Sequence, residues 1–90
     1  MTDELTGVPN RRAALRKLER LIEQSESPCA VLIVDIDHFK SINDKHGHPE
    51  GDEALKLIAA TLRQLVHPPA SIGRLGGEEF IVIFPDTTLP

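Results

Sequence analysis

The sequence predicts a mixed α/β (α+β) domain in which helices pack on one sheet. Two stretches carry the apolar stripe of an amphipathic helix, and three short apolar runs have the composition of strands. A chain of 90 residues, 40% of them apolar, has room for one modest core, burying about 60% of its unfolded surface. We therefore treat residues 1–90 as a single domain.

The first helix is predicted from residue 11 to about residue 25, after a turn, TGVPN, in which Asn10 or Thr6 is a plausible capping residue. The second helix is expected to begin near Pro49 and to end before Pro68 and Pro69. Its apolar stripe lies in EALKLIAATLRQLV, residues 53–66. The polar segment ahead of it, HFKSINDKHGHPEGD, is predicted to be a loop. The apolar stripe of the first helix consists of Ala14, Leu15, Leu18, Leu21 and Ile22.

Three apolar runs predict the strands. CAVLIVDID is uninterrupted, the pattern of a strand covered on both faces, and we expect it to be the central strand. ASIGRL and EFIVIF are separated by Gly76 and Gly77, which favours a tight hairpin with positive φ in its turn. The sequence ends soon after the last run, so we expect the sheet to be incomplete.

Charge and composition exclude several classes of protein. Ten Lys and Arg against 14 Asp and Glu give a net charge of -4, which argues against binding to a nucleic-acid backbone. The longest apolar stretch is too short to span a bilayer, and the acidic start MTDEL does not resemble a signal peptide. Cys29 is the single cysteine and fits a small core residue. We expect a cytoplasmic protein with no nucleic-acid partner and no membrane segment in this chain.

Four carboxylates are expected at one edge of the sheet. Asp35 and Asp37 share a face where the first strand ends, and Glu78 and Glu79 in the hairpin turn come near them if the hairpin pairs with that strand. Clustered carboxylates raise one another's pKa or recruit a hard cation such as Mg2+, whose remaining ligands are water and phosphates. A nucleoside triphosphate is then the natural partner. Taken singly, each carboxylate is better explained as a solvated group.

Other polar residues lie in the segment after the first strand. Lys40 could face a phosphate, and Asn43 with Asp52 could read the adjacent N–H donors of a guanine. Simpler explanations exist: a surface lysine, a turn asparagine and an acid in the first turn of a helix. His46 and His48, without a nearby cysteine, are weak evidence for zinc.

Three blocks of the sequence, DELTGVPNRR, VDIDHFKSINDKHGHPEGDEAL and GRLGGEEF, resemble the GGDEF family of diguanylate cyclases in order and spacing. The resemblance implies a nucleotide-cyclase-like fold, with a ferredoxin-like palm sheet, antiparallel and flanked by helices. It also implies condensation of two GTP into cyclic di-GMP and two pyrophosphates with Mg2+ (or Mn2+). Because the product is two-fold symmetric, a homodimer is expected to form the active site.

The resemblance also implies roles for individual residues. Asp35 and Glu78 match carboxylate ligands of the metal, and Ile36 matches a ligand that binds through its backbone carbonyl. Glu78 further matches the proton acceptor for the 3′-hydroxyl, Lys40 matches a group that stabilises the transition state, and Glu79 is a nearby residue whose role is less defined. The substrate contacts implied are His38, Phe39 and Lys40 for the phosphates, Asn43 and Asp52 for guanine, and His48 on the substrate side.

Two departures from the family pattern change the expectations. The inhibitory product site of many members, Arg-x-x-Asp, is replaced by HPPA with His67 and Ala70, so product feedback there is not expected. The resemblance covers roughly the N-terminal half of the family domain, so a sheet edge and a helix face would be left uncovered. The alternative is therefore a catalytically weak or inactive remnant that acts as a GTP-binding or regulatory interaction module.

Overall fold

The computed structural model describes residues 1–24, 27–36 and 39–86, without the side chain of residue 42. Three helices pack with one three-stranded sheet in this part of the chain, which agrees with the predicted mixed α/β class. The elements are α1 (Arg11–Gln24), β1 (Ala30–Asp35), α2 (Phe39–His46), α3 (His48–Leu65), β2 (Ser71–Gly76) and β3 (Glu79–Phe84). None of the helices in this described part is long and apolar enough to cross a membrane.

The sheet is antiparallel, in the order β1-β3-β2. Its register runs from Ala30 opposite Phe84 to Asp35 opposite Glu79 in the β1–β3 pair. β3 is therefore the central strand, and the prediction that the first strand occupies the centre is wrong. The apolar run of β3 is equally continuous, so an uninterrupted run does not distinguish a central strand from an edge strand. Leu32 and Ile33 on β1 are about half exposed, at 48% and 49%.

Helices pack on both faces of the central strand, β3. Successive residues of a strand point to opposite faces, so Phe80 and Ile81 on β3 belong to different layers. Phe80 packs in a cluster with side chains of α3, and Ile81 packs against α1. The first cluster consists of Val8, Leu55, Ala59, Ile72 and Phe80, and the second of Ala14, Ile81 and Ile83.

The start of α1 agrees with the sequence. Asn10 caps the helix, because its Oδ1 accepts a hydrogen bond of 3.0 Å from the amide of Ala13. Thr6, the other candidate cap, instead donates its hydroxyl to Asp3. The apolar stripe is only partly buried: Ala14, Leu18 and Leu21 pack in the core, while Leu15 and Ile22 are 37% and 66% exposed.

The segment predicted to be a loop contains α2, so that prediction is wrong. A helix of eight residues has barely two turns, too few for an apolar stripe to be recognised in the sequence. Lys45 and His46 in its last turn complement the helix dipole. The second predicted helix is confirmed as α3, which begins at His48, one residue before Pro49, and ends before the prolines.

Candidate functional site

The hairpin turn lies beside the end of β1. Asp35 and Glu79 are opposite each other in the β1–β3 register, so their Cβ atoms lie on the same face of the sheet. One residue further along, the amide of Ile36 donates a hydrogen bond of 3.3 Å to the carbonyl oxygen of Glu78. Residues 76–79, the GGEE turn, are therefore held at the strand end that carries Asp35.

Two glycines give the GGEE turn its shape. Gly76 has φ 151° and Gly77 has φ 41°, both in the region that glycine adopts at little cost. A bulge between Arg74 and Gly76 shifts the register of β2 against β3 just before the turn. The predicted hairpin with positive φ in its turn is confirmed.

The carboxylates at this end differ in exposure. Asp35 and Glu79 are exposed, and Glu78 is half-buried. No three His, Cys, Asp or Glu side chains converge on a metal-sized site within the described ranges. Asp37, expected in the carboxylate cluster, and His38, expected at the phosphates, lie outside those ranges. Mg2+ needs only one or two carboxylates when phosphates and water complete its shell. Asp35, Glu78 and the carbonyl of Ile36 offer oxygen donors, the type that Mg2+ and Mn2+ prefer, and their role as metal ligands remains a prediction.

A buried acceptor without a partner lies where α2 meets α3. Asn43 on α2 has a buried Oδ1 that receives no hydrogen bond from the described residues. Gly51 on α3 faces it: a Cβ added there would overlap this oxygen and stand 2.9 Å from Asn43 Cγ and 3.4 Å from Phe39 Cζ. Asp52, exposed, is the next residue along α3. The close approach of the helices thus places Asn43 against the residue that directly precedes Asp52, and the guanine contacts of both residues remain predictions.

Sequence reasoning missed Gly51. An isolated glycine within a helical pattern lowers helix stability by about 1 kcal/mol relative to alanine and usually has a packing reason. Such a glycine is present in HPEGDEAL, but the packing that requires it is against α2, a helix that was not predicted.

The other predicted substrate residues lie close by in the chain but differ in exposure. Phe39 packs its side chain against the core, so a contact with phosphate would have to come from its backbone. Lys40 in the first turn of α2 and His48 at the start of α3 are exposed to solvent. The roles assigned to these residues remain predictions.

The segment in place of the Arg-x-x-Asp motif forms a turn ahead of β2. The amide of Ala70 donates a hydrogen bond of 3.0 Å to the carbonyl oxygen of His67. His67 is exposed and Ala70 is half-buried. Neither residue supplies the charged fork of an arginine or the carboxylate of an aspartate, and the lack of product feedback at this turn remains a prediction.

An ion pair that sequence reasoning also missed lies next to the GGEE turn. Arg74 Nη1 donates hydrogen bonds of 3.1 and 3.0 Å to the two carboxylate oxygens of Asp3. Partial burial is the largest influence on Asp3 and raises its pKa, but hydrogen bonds from Thr6 and Arg74 and the charge of Arg74 outweigh it. The pKa of Asp3 is therefore lowered. The partners are 71 residues apart, so no local pattern could reveal the pair.

The fold, the signature turn and the family comparison agree on the class of protein. All 90 residues match the family model for the GGDEF domain of diguanylate cyclases. The chain therefore belongs to the GGDEF family, and the resemblance noted in the sequence is confirmed.

Similar proteins from two bacteria support the assignment to this family. The chain is 45% identical over 92 residues to diguanylate cyclase DgcP of Pseudomonas aeruginosa and to response regulator PleD of Caulobacter vibrioides. These matches cover 99% of the chain but only 14% and 20% of the relatives. The chain thus corresponds to a small part of each of these longer proteins.

Solved structures share the fold. The GGDEF domain of DgcB from Caulobacter crescentus, in complex with c-di-GMP, matches with a TM-score of 0.92 and 38% identity. Diguanylate cyclase SiaD from Pseudomonas aeruginosa, in complex with its activator SiaC, matches with a TM-score of 0.94 and 38% identity. The matches cover 97% and 98% of this chain, and 51% and 35% of the two solved chains.

Proposed function

We propose that this domain binds GTP with Mg2+ (or Mn2+) between the GGEE turn and the α2–α3 pair, as part of a diguanylate cyclase. The observation that carries the proposal is the hydrogen bond from Ile36 to Glu78, which sets an acidic residue of the turn beside the strand end bearing Asp35. The names of relatives such as DgcP agree with this activity. Since GTP is a cytoplasmic nucleotide, we expect the protein in that compartment.

The guanine base would be recognised at α2 and α3. Asn43 Oδ1 is a buried acceptor with no donor among the described residues, an arrangement that costs about 1–3 kcal/mol unless a ligand or a water molecule supplies the donor. Guanine presents adjacent N–H donors on its Watson–Crick edge, and the carboxylate of Asp52 provides further acceptor oxygens. Adenine lacks this pair of donors, so GTP should bind more tightly than ATP.

The reaction joins the 3′-oxygen of one GTP to the α-phosphorus of another. Glu78 accepts the hydroxyl proton, the bond between the α-phosphorus and pyrophosphate breaks, and Lys40 stabilises the negative charge that develops. When bound, Mg2+ offsets charge on the triphosphate and on the leaving pyrophosphate. Asp35, Glu78 and the carbonyl of Ile36 would hold the metal, with Glu79 nearby. His38, Phe39 and His48 remain proposed contacts on the substrate side.

Two such steps, one in each direction, close the ring of cyclic di-GMP. Each step needs the 3′-hydroxyl of one nucleotide in line with the α-phosphate of the other. Because one domain offers one guanine site in this proposal, two copies must face each other. A homodimer of the catalytic protein follows from the symmetry of the product.

The test is formation of cyclic di-GMP from GTP by the purified 90-residue chain, followed by chromatography. We expect product that requires Mg2+ or Mn2+ and disappears in Glu78→Gln and Asp35→Asn. Glu53→Gln is the matched control, since Glu53 is an exposed acid on α3. Metal-dependent GTP binding without product would contradict catalysis by this chain and support a GTP-binding module. Neither product nor binding would contradict both.

A further inference from the structure

The first ten residues form a closed turn against the sheet. The amide of Asp3 donates to the carbonyl of Val8 at 2.7 Å, and the amide of Gly7 donates to the carbonyl of Asp3 at 2.8 Å. The side chain of Val8 is 1% exposed and belongs to the core cluster around Phe80. This N-terminal turn is thus anchored in the core and offers a fixed support for the carboxylate of Asp3.

Hydrogen bonds from Thr6 orient the Asp3 carboxylate that contacts Arg74. Its Oδ2 accepts hydrogen bonds from the amide and the hydroxyl of Thr6, at 2.9 and 2.7 Å. Arg74 Nη1 contacts both carboxylate oxygens, and the side chains of Arg74 and Asp3 are only 16% and 20% exposed. Charge-assisted hydrogen bonds are stronger than neutral ones, and solvent screens a partly buried pair less than an exposed pair. The Asp3–Arg74 pair is therefore a fixed point near the sheet edge.

The guanidinium of Arg74 also reaches the GGEE turn. Its Nη2 donates a hydrogen bond of 2.8 Å to the carbonyl oxygen of Gly77, the residue directly before Glu78. The backbone of Arg74 is tied as well, since its amide donates to the carbonyl of Pro9 at 2.9 Å. One side chain thus joins the N-terminal turn to the turn that carries the proposed proton acceptor.

Packing offers little restraint on the GGEE turn. A Cβ built on Gly76 or Gly77 would meet no atom within 4 Å among the described residues. Two hydrogen bonds tie the turn's backbone carbonyls to residues outside it, the first from Arg74 to Gly77 and the second from Ile36 to Glu78. The strand pairing of Gly76 with Glu79 holds the two ends of the turn. Loss of the first should therefore loosen the second, because both fix the same short stretch of backbone.

We propose that Arg74, held by Asp3, is a positioning residue that fixes the backbone of the GGEE turn and thereby the placement of Glu78. Its effect on nucleotide binding rests on the proposed function, whereas its effect on the turn does not. The fork of the guanidinium is essential, because one nitrogen contacts the carboxylate while the other contacts the carbonyl. A lysine at position 74 would keep the charge and lose the bridge.

The test measures amide hydrogen exchange in the full chain without nucleotide. The reporter is the Ile36 amide, which donates to Glu78, and the reference is the set of amides of residues 81–83 in the central strand. We expect Ile36 to exchange about tenfold faster than wild type in Arg74→Lys and in Asp3→Asn, the scale on which a hydrogen bond to a charged group contributes. The reference amides should change less than the Ile36 amide.

Two further variants make the exchange experiment decisive. Thr6→Val removes one hydrogen bond to Asp3 while keeping side-chain volume, so it should give a smaller change in a protein that folds even if the charge variants do not. Lys56→Gln removes the exposed Lys56–Glu53 ion pair on α3 and should leave Ile36 exchange unchanged. Equal acceleration of Ile36 and the reference amides, or none at Ile36, would overturn the proposal and leave Asp3–Arg74 a general stabilising pair.

GTP affinity in the presence of Mg2+ separates this inference from the proposed function. We expect Arg74→Lys to weaken binding about tenfold, in line with its effect on Ile36 exchange. If wild type does not bind GTP, the proposed function fails while the exchange result still decides the positioning role. If wild type binds GTP and Arg74→Lys binds equally well despite faster Ile36 exchange, the link between the turn and the nucleotide is refuted.

Discussion

Gly51→Ala should weaken nucleotide binding while it leaves the stability of the fold nearly unchanged. The new Cβ would overlap Asn43 Oδ1 and press on Asn43 Cγ at 2.9 Å, so the carboxamide has to turn away from its present position. Alanine favours a helix over glycine by up to about 1 kcal/mol, which offsets much of the strain of moving one side chain. We expect the free energy of unfolding to stay within about 1 kcal/mol of wild type.

GTP affinity should respond much more strongly to Gly51→Ala. A displaced Asn43 oxygen no longer accepts the guanine N–H, and loss of a hydrogen bond in a buried site costs about 1–3 kcal/mol, or roughly 5- to 150-fold in Kd. Calorimetric titration of GTP with Mg2+ measures this, and denaturant unfolding measures stability. Ala60→Gly, an exposed site on the same helix, controls for helix propensity.

The double variant with Asn43→Ala tests the reasoning. If Gly51 acts by holding the Asn43 carboxamide in place, adding Gly51→Ala to Asn43→Ala should cost no further affinity. Wild-type GTP affinity in Gly51→Ala, measured while Asn43→Ala binds weakly, would refute the account of why this glycine is needed.

Three other predictions concern stability, each measured by denaturant unfolding. Because the pKa of Asp3 is lowered in the folded state, ionised Asp3 stabilises the fold fully above the usual aspartate range. This contribution is lost as pH falls through the folded-state pKa, so below about pH 4 wild type should lose stability that Asp3→Asn does not lose. Phe80→Ala should lower the unfolding free energy by about 3–5 kcal/mol, and the half-exposed Leu32→Ala by much less. Gly73→Ala should cost about 1–3 kcal/mol by overlapping the Ala14 side chain, with recovery in the double variant carrying Ala14→Gly.

Local rules in the sequence predict much of the fold. The hairpin follows from Gly76 and Gly77, since few other residues adopt positive φ in a tight turn. The start of α1 follows from the capping side chain of Asn10, and the end of α3 from the prolines beyond it. Because each of these features depends on residues that are neighbours in the chain, it can be predicted from the sequence alone.

The features that sequence reasoning missed depend on distant contacts. Continuous apolar runs occur in both β1 and β3, so the central position of β3 is decided by pairing and not by composition. The contact of Asn43 with Gly51 needs α2, whose two turns have no readable stripe. Asp3 and Arg74 meet only when the hairpin folds back against the first turn of the chain. The sequence predicts the residues of the candidate site but not the long-range contacts that hold them in place.

An NMR titration of the 15N-labelled chain with GTP and Mg2+ tests directly where the nucleotide binds. We expect the largest shifts on the amides of Ile36, Gly51, Gly77 and Glu78 and on the Asn43 carboxamide, and much smaller shifts with ATP. Shifts confined to another surface such as α1, or equal shifts with ATP, would contradict a guanine nucleotide site between the GGEE turn and the α2–α3 pair.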